Sequence, residues 1–561
     1  MKKLIGRLTS VKFILVIYII TAFCVLLAVN CYRAFKIGPF SQQYEISDMS
    51  GYFCVGDARS YFIENSGRTV TAVNEKGEYI FSIDGGNRND GFFHAREIAC
   101  DDDGNMYLLD KVINTNGKDV DSERILKYDG NGKLLGCLLE ETELSGENLM
   151  CLAFLNDALY AALVSDSDIQ ILRMTSDGEP KVQKQYSWDN ASMTIQDIAI
   201  SRTLDGVAVT KSGNVVRLSD GTVIFDAAAH NSSEYYAMAL EAAFDTDGTL
   251  YISDIGNRVV MRYDGQELTE FIARGEPLKG LPDAFSELPI YTGLNCKNGT
   301  VSVTYAENYY DKDSGEVINH YNAYAVSAVN KTLLFNSNTV RKSAWVFAKG
   351  IVFCVTAGFL VVAILYTLLL AVLLLRQNRG DRTFLTQLGL LAIAIVTAGI
   401  VAGITLNTTN QRYFNEVMNK MTNIALLMAN SIDEDDVNAL ESPESFMSQS
   451  YNHIDRQIKS VLQNEINAED GIYCIIYRVH NGIVYEAYSD ETLYGTGYPM
   501  PGGFEGSAEQ EIYETGQYMS FGNYNGSDGS YMFVLMPIKN AYGEVTALME
   551  VGTDLYIFTA E

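Results

Sequence analysis

Three uninterrupted apolar runs divide this chain. FILVIYIITAFCVLLAV (Phe13–Val29) has 17 residues, GIVFCVTAGFLVVAILYTLLLAVLLL (Gly350–Leu375) has 26, and FLTQLGLLAIAIVTAGIVAGITL (Phe384–Leu406) has 23, none of them charged. About 20 apolar residues carry a helix across a bilayer core, so the pattern predicts transmembrane helices over 13–31, 346–375 and 383–406. Between the first two runs, short alternating segments are punctuated by glycine and aspartate, the pattern of half-buried strands. Beyond the third, apolar positions first recur every three or four residues and then alternate, predicting helices followed by a sheet.

The short basic segments orient the spans. Lys2, Lys3, Arg7 and Lys12 precede the first, and RQNRGDR (Arg376–Arg382) joins the second and third. Both are expected in the cytoplasm, which places 45–340 and 407–561 outside it. Arg341, Lys342 and Lys349 weaken this bias without reversing it. The first run with its basic flank also fits a signal peptide, but no small-x-small cleavage site follows, which favours an uncleaved anchor. A plasma-membrane, multi-pass chain is the expectation, with lipid as a partner.

The first outer region repeats itself. IACDDDGNMYLLD (Ile98–Asp110) matches AAFDTDGTLYISD (Ala242–Asp254), and each is followed by a strand closing on Tyr-Asp-Gly: RILKYDGNG (Arg124–Gly132) and RVVMRYDGQ (Arg258–Gln266). Asp-Gly between alternating runs signals a hairpin, because glycine takes positive φ at little cost. Weaker copies are anchored at LAFLNDALYAALV (Leu152–Val164), IAISRTLDGVAVT (Ile198–Thr210) and TGLNCKNGTVSVTY (Thr292–Tyr305), and a sixth spans Phe53–Ile83. Strands after the turns begin near residues 106, 159, 207, 250 and 301, a period of 43–53. Four strands per period of that length predict a β-propeller of about six blades.

The D-x-D-G-x-Φ-Y-Φ-x-D and R-Φ-x-x-Y-D-G patterns resemble those of NHL-type propellers. An EF-hand loop needs ligands at six spaced positions and closes on a bidentate glutamate, whereas here strand begins directly after the glycine. The aspartates are therefore expected to be turn chemistry, with no metal site. Some propellers similar to this one are lactonases or synthases with a metal in the central channel, which takes inward Glu, Asp, Asn or His from several blades. His94, His230 and His320 occupy no matching positions, so binding on the loop face is the expected role of the scaffold.

In the second outer region, Phe414, Met418, Met421, Ile424, Leu427 and Met428 form the stripe of an amphipathic helix, expected to continue the third span. A second helix over Glu444–Ile466 and a five-stranded antiparallel sheet follow, with a hairpin at Asn481-Gly482. ALLMANSIDEDDVNAL (Ala425–Leu440), IYCIIYRVHNGIVYEAYSD and GEVTALMEVGTD (Gly543–Asp554) resemble the Cache family of PAS-like sensor domains. That resemblance implies an α+β domain over 407–561, a small ligand such as an amino or organic acid, a homodimer and a signal passed through the membrane. The family's amino-acid-binding motif is not intact. By their chemistry Tyr477, Arg478, Tyr488, Asp490, Tyr494 and Tyr498 are the candidate ligand-binding residues, aromatic faces with few charges suiting a small polar molecule.

Composition narrows the partners. The 561 residues carry a net charge of −29, and residues 407–561 alone hold 6 Lys and Arg against 23 Asp and Glu, a net −17. Such a surface repels phosphate backbones, which argues against nucleic acid. Nine dispersed cysteines argue against a disulfide framework, and no motif calls for a cofactor. No P-loop, kinase signature, GxSxG or HExxH occurs, so no enzymatic activity is expected of these residues. The expected function is a transmembrane receptor with the propeller as accessory binding module, its output lying beyond Glu561 or on a cytoplasmic signalling partner. A cell-surface binding or assembly protein acting through the propeller is the alternative, and a propeller hydrolase or lactonase the remote one.

Overall fold

A computed structural model describes residues 11–36, 40–377 and 414–555, apart from short loop segments that include 463–470, 491–494 and 526–529. The chain is mostly β. It forms two compact units, one of Met1–Tyr44 with Arg341–Glu416 and one of Glu45–Val340 with Val417–Glu561.

The first unit contains two helices long and apolar enough to cross a membrane, Val11–Lys36 and Ala344–Gln377. They pack antiparallel. The Phe35 and Phe353 rings stack 4.4 Å apart near one end, and Tyr18 meets the Thr367 hydroxyl near the other. Their remaining large side chains, among them Leu15, Ile19, Phe23, Val355, Leu365 and Leu368, face outward. The expected third span, Phe384–Leu406, and most of the Arg376–Arg382 linker lie outside the described residues.

Six antiparallel four-stranded meanders follow one another in the second unit. Their first strands are Met49–Val55, Ala95–Cys100, Asn148–Leu155, Ile195–Ile200, Ala239–Phe244 and Ile290–Lys297. These strands lie side by side in chain order, and the sixth closes on the first. Each is the innermost strand of a blade, so together they wall a central channel. The cause is local. One meander buries only one face, and stacking neighbours buries the rest. Ile198, Ala162 and Trp188 fill the seam between blades 3 and 4, and Val209, Phe225 and Leu250 that between blades 4 and 5. Each such aliphatic side chain contributes roughly 1.5–3 kcal/mol on burial.

The aspartate-rich turns close the hairpins as expected. Gly104 and Gly248 adopt φ of 78° and 91°. Asp101 accepts hydrogen bonds from the Asn105 N–H (2.7 Å), the Asn105 amide (2.8 Å) and the Tyr107 hydroxyl (3.0 Å). Asp245 accepts from the Gly299 N–H of the next blade at 3.0 Å. These oxygens are occupied by their own turns and neighbours.

One expectation about cysteine is corrected. Cys54 and Cys100 form a disulfide between the innermost strands of blades 1 and 2. They are 46 residues apart, about one repeat, so the propeller period brings together residues that look dispersed in the sequence.

The second part of this unit is an antiparallel sheet. Its strands run in the order Tyr498–Pro499, Ile483–Ser489, Tyr473–His480, Val545–Asp554, Ser530–Lys539, Met519–Asn525. The two-residue edge strand is an addition to the five expected. Asn481 and Gly482 both take positive φ, 50° and 75°, and turn the central hairpin. Helices 414–429 and Gln449–Leu462 cover one face. The buried stripe of the first is Val417, Met421, Ile424, Ala425 and Met428, while Phe414 and Leu427 are exposed, a rotation from the expected face. The helix Ala508–Thr515 covers the other face against Tyr477, Phe533 and Leu548.

Candidate functional site

In blades 2 to 6 the innermost strand breaks register with its neighbour at the same place, after Ala95, Leu149, Ile195, Ala239 and Tyr291. After the bulge the next paired residues fall at one level of the ring, where the charges of Glu97 and Asp197 reach Glu241 and Cys151. Those residues are Glu97, Cys151, Asp197, Glu241 and Gly293. Three blades thus bring a carboxylic acid to one level of the channel.

The three acids sit deep in the protein yet remain partly accessible. Burial pushes the Glu97 carboxyl well above its usual range, and the charge of Asp197 adds to the effect while Arg96 and Lys111 oppose it. Burial raises Asp197 to about 6, against N–H bonds from Ala242 and Ile198. Glu241 is raised by burial and by the charges of Asp197 and Glu97. Burial likewise pushes the Cys151 thiol up, with Glu97 and Asp197 contributing. Like charges this close ionise one after another, so their titration belongs to the group.

Each of two carboxylates also holds the neighbouring blade. Asp197 accepts from the Ala242 N–H at 3.0 Å, and Glu241 from the Leu294 N–H at 2.7 Å. One oxygen of each acid is so anchored, which fixes the carboxylate plane. Among the described residues no three His, Cys, Asp or Glu side chains group closely enough to hold one metal ion.

Basic residues mark one mouth of the channel. Lys211 follows the second strand of blade 4 and donates its backbone N–H to Thr194, beside the start of the innermost strand. Burial lowers its ammonium to about 8, Glu486 opposing and Arg96 adding to the effect. Lys111 holds the same position in blade 2 and pairs with the buried Glu123 at 2.8 Å.

Of the residues expected to line a ligand pocket, the structure brings Tyr488 and Asp490 near each other and places Tyr477, Arg478 and Tyr498 elsewhere. Tyr477 is buried beneath the Ala508–Thr515 helix and donates to Glu550 at 3.0 Å, next to Tyr473, which donates to the same carboxylate at 2.6 Å. Tyr488 lies on the opposite face, in the helix-covered core, donating to Asp455 at 3.0 Å. Asp490 accepts from the Cys474 N–H at 2.6 Å and ends the strand. Arg478 donates to the Asn438 carbonyl at 2.9 Å. Tyr498 packs on the propeller with Met238, Leu240, Ile255 and Ile290. Tyr494 lies outside the described residues. The physical reason is strand alternation: Tyr477 and Tyr488 belong to opposite faces of one sheet.

The channel acids were legible in the repeats. REIAC, MCLAF, QDIAI, LEAAF and TGLNC align across blades 2 to 6, and the second residue of each is the channel position. Weighing the channel by histidines alone passes over that column.

No protein family and no curated protein matches the sequence. Solved structures do. Virginiamycin B lyase from Staphylococcus aureus is 12% identical over 50% of this chain and 93% of its own, with a TM-score of 0.29. The aldose sugar dehydrogenase of Streptomyces coelicolor in its PQQ-bound form is 15% identical over 47% of this chain and 91% of its own (TM-score 0.30). A gluconolactonase from Xanthomonas campestris is 12% identical over 46% and 85% (TM-score 0.29). The class of fold that the blades themselves define is a β-propeller.

Two expectations are corrected here. A signalling receptor reading a ligand through a sensor pocket is set aside, because Tyr477, Arg478 and Tyr498 lie apart from Tyr488 and Asp490 while the propeller channel gathers three acids. The expectation of no enzymatic activity falls with it, on the three acids that meet in the channel.

Proposed function

We propose that this chain is a propeller enzyme that performs acid–base chemistry, most simply hydrolysis, on a small polar molecule held in the central channel. The observation that carries the proposal is the column of Glu97, Asp197 and Glu241 at one level. General acid–base catalysis needs one carboxyl protonated and another ionised near neutral pH, which a coupled, buried group of acids provides. Asp197, with two backbone N–H bonds to its charge, is the group that ionises first and takes the proton from water. Glu241 or Glu97, held protonated by burial and by the Asp197 charge, donates to the leaving oxygen. Arg96 and Lys211 at the mouth favour a substrate with an anionic end.

The proposal extends to the setting. Two helices with outward apolar faces, of mean hydropathy 2.3 and 2.5, fit lipid better than water. With the expected third span they would tether the enzyme in the plasma membrane and leave both water-soluble parts outside. The sheet-and-helix part is read as a PAS-like, Cache-type fold on its element order, here as a companion to the propeller.

The test is a panel of lactones and chromogenic esters incubated with the full chain in detergent. Wild type is expected to turn over at least one compound, and Asp197→Asn and Glu241→Gln each to lower kcat/KM by about 100-fold, within the usual range for such groups. No turnover by wild type, or equal turnover by folded variants, ends the proposal.

A further inference from the structure

The channel mouth marked by Lys211 is covered by the chain itself. Gly495, in the loop before the edge strand Tyr498–Pro499, lies so close to blade 4 that a Cβ there would stand 1.9 Å from the Lys211 carbonyl oxygen. Leu240 occupies the bulge position of blade 5, the same one that Arg96 holds in blade 2, and it packs against Tyr498 together with Met238, Ile255 and Ile290. Around this seal, the Tyr236 ring meets His480 at 5.0 Å and Tyr485 at 5.7 Å, and the Asn481 amide donates to the Ser233 carbonyl at 3.0 Å. Glu486, on the strand beside the edge, brings its charge to Lys211.

From these contacts we infer that the edge formed by Ile483–Ser489 and Tyr498–Pro499 is a plug on this mouth of the propeller channel, and that a small molecule entering there reaches the acids only when the plug lifts. The seal's apolar part comes from few side chains, and its Asn481 hydrogen bond runs to an exposed loop carbonyl. Such contacts open locally at a free energy well below global unfolding. Gly495 is the tightest point, since no side chain has room there. The inference rests on the channel being the working site, but docking is measurable without turnover.

Cys151 supplies the readout, because it shares the channel level with the acids. The full chain in detergent is treated with N-ethylmaleimide and labelling at each cysteine is followed by peptide mass mapping. Gly495→Leu, which clashes with the Lys211 carbonyl, and Tyr236→Ala, which deletes the ring contacts, are expected to speed Cys151 labelling by about tenfold or more, as partial opening of a local seal does. Gly503→Ala, at an exposed glycine with open space around it, keeps the wild-type rate. Cys474, buried in the sheet core, stays unlabelled in all of them and reports that the fold is intact. Wild-type rates at Cys151 in both undocked variants, with Cys474 protected, overturn the plug even if the acid variants lose activity. Faster labelling without any turnover in wild type keeps the plug and removes the acid–base proposal instead.

Discussion

The propeller and the sheet beside it treat their polar groups in opposite ways. In the propeller channel Glu97, Asp197 and Glu241 are deep, partly accessible and placed so that each raises the cost of ionising another. In the sheet, Tyr473 and Tyr477 share Glu550, Tyr488 donates to Asp455 and Asp490 accepts from Cys474. Every one of those bonds is internal. A buried polar group whose partners lie within the fold stabilises that fold, whereas like charges facing one channel level are costly to keep and point to chemistry. Residue type did not separate the two regions; the gathering of like charges at one level did.

The contrast is broken most directly by neutralising the channel. Asp197→Asn with Glu241→Gln is expected to abolish any turnover, a loss of about 100-fold or more, while leaving thermal unfolding of the sheet unchanged. Equal losses from Tyr488→Phe would reverse the assignment of roles.

A smaller effect concerns blades 1 and 2. Cys54→Ser with Cys100→Ser removes the link across 46 residues and is expected to cost the propeller roughly 2–4 kcal/mol. Hydrogen exchange resolved by peptide should place the loss in the first two blades and spare residues 471–554.

The acids also set a pH dependence. Asp197 is raised to about 6, above its ordinary range near 4, so the native state holds its proton more tightly than the unfolded chain does. Stability is therefore unpenalised below about pH 4 and falls as pH rises through about 6, with the raised Glu97 and Glu241 carrying the fall further. Melting temperatures from pH 4 to 7 should show this limb in wild type, and Asp197→Asn should flatten it. The smallest effect is Tyr477→Phe, which loses one bond to Glu550 and about 1 kcal/mol of stability with no change in kcat/KM.

Much of the architecture was legible because its causes are local. Asp101 and Gly104 turn a chain within four residues, and Asn481-Gly482 does the same in the sheet. The blade period follows from repeating such units. The helix 414–429 was legible as a helix, yet its buried face was not, because Val417 and Ala425 are chosen by the sheet they meet and Leu427 is left outside. Glu97 was one residue ahead of the segment that matched best, and its meaning depends on Asp197 and Glu241, 100 and 144 residues away.

By itself, then, the order of residues determined the strands, their turns, the apolar helices and the repeat of about 46 residues that joins Cys54 to Cys100. Those features depend on side chains a few positions apart, or on one pattern recurring. Only the tertiary structure decided that three acids share a level, that Tyr477 and Tyr488 part company across a sheet, and that Gly495 rests on Lys211. Each of these is a meeting of distant residues, and closing the ring of blades and docking the sheet edge on it is what brings them within reach.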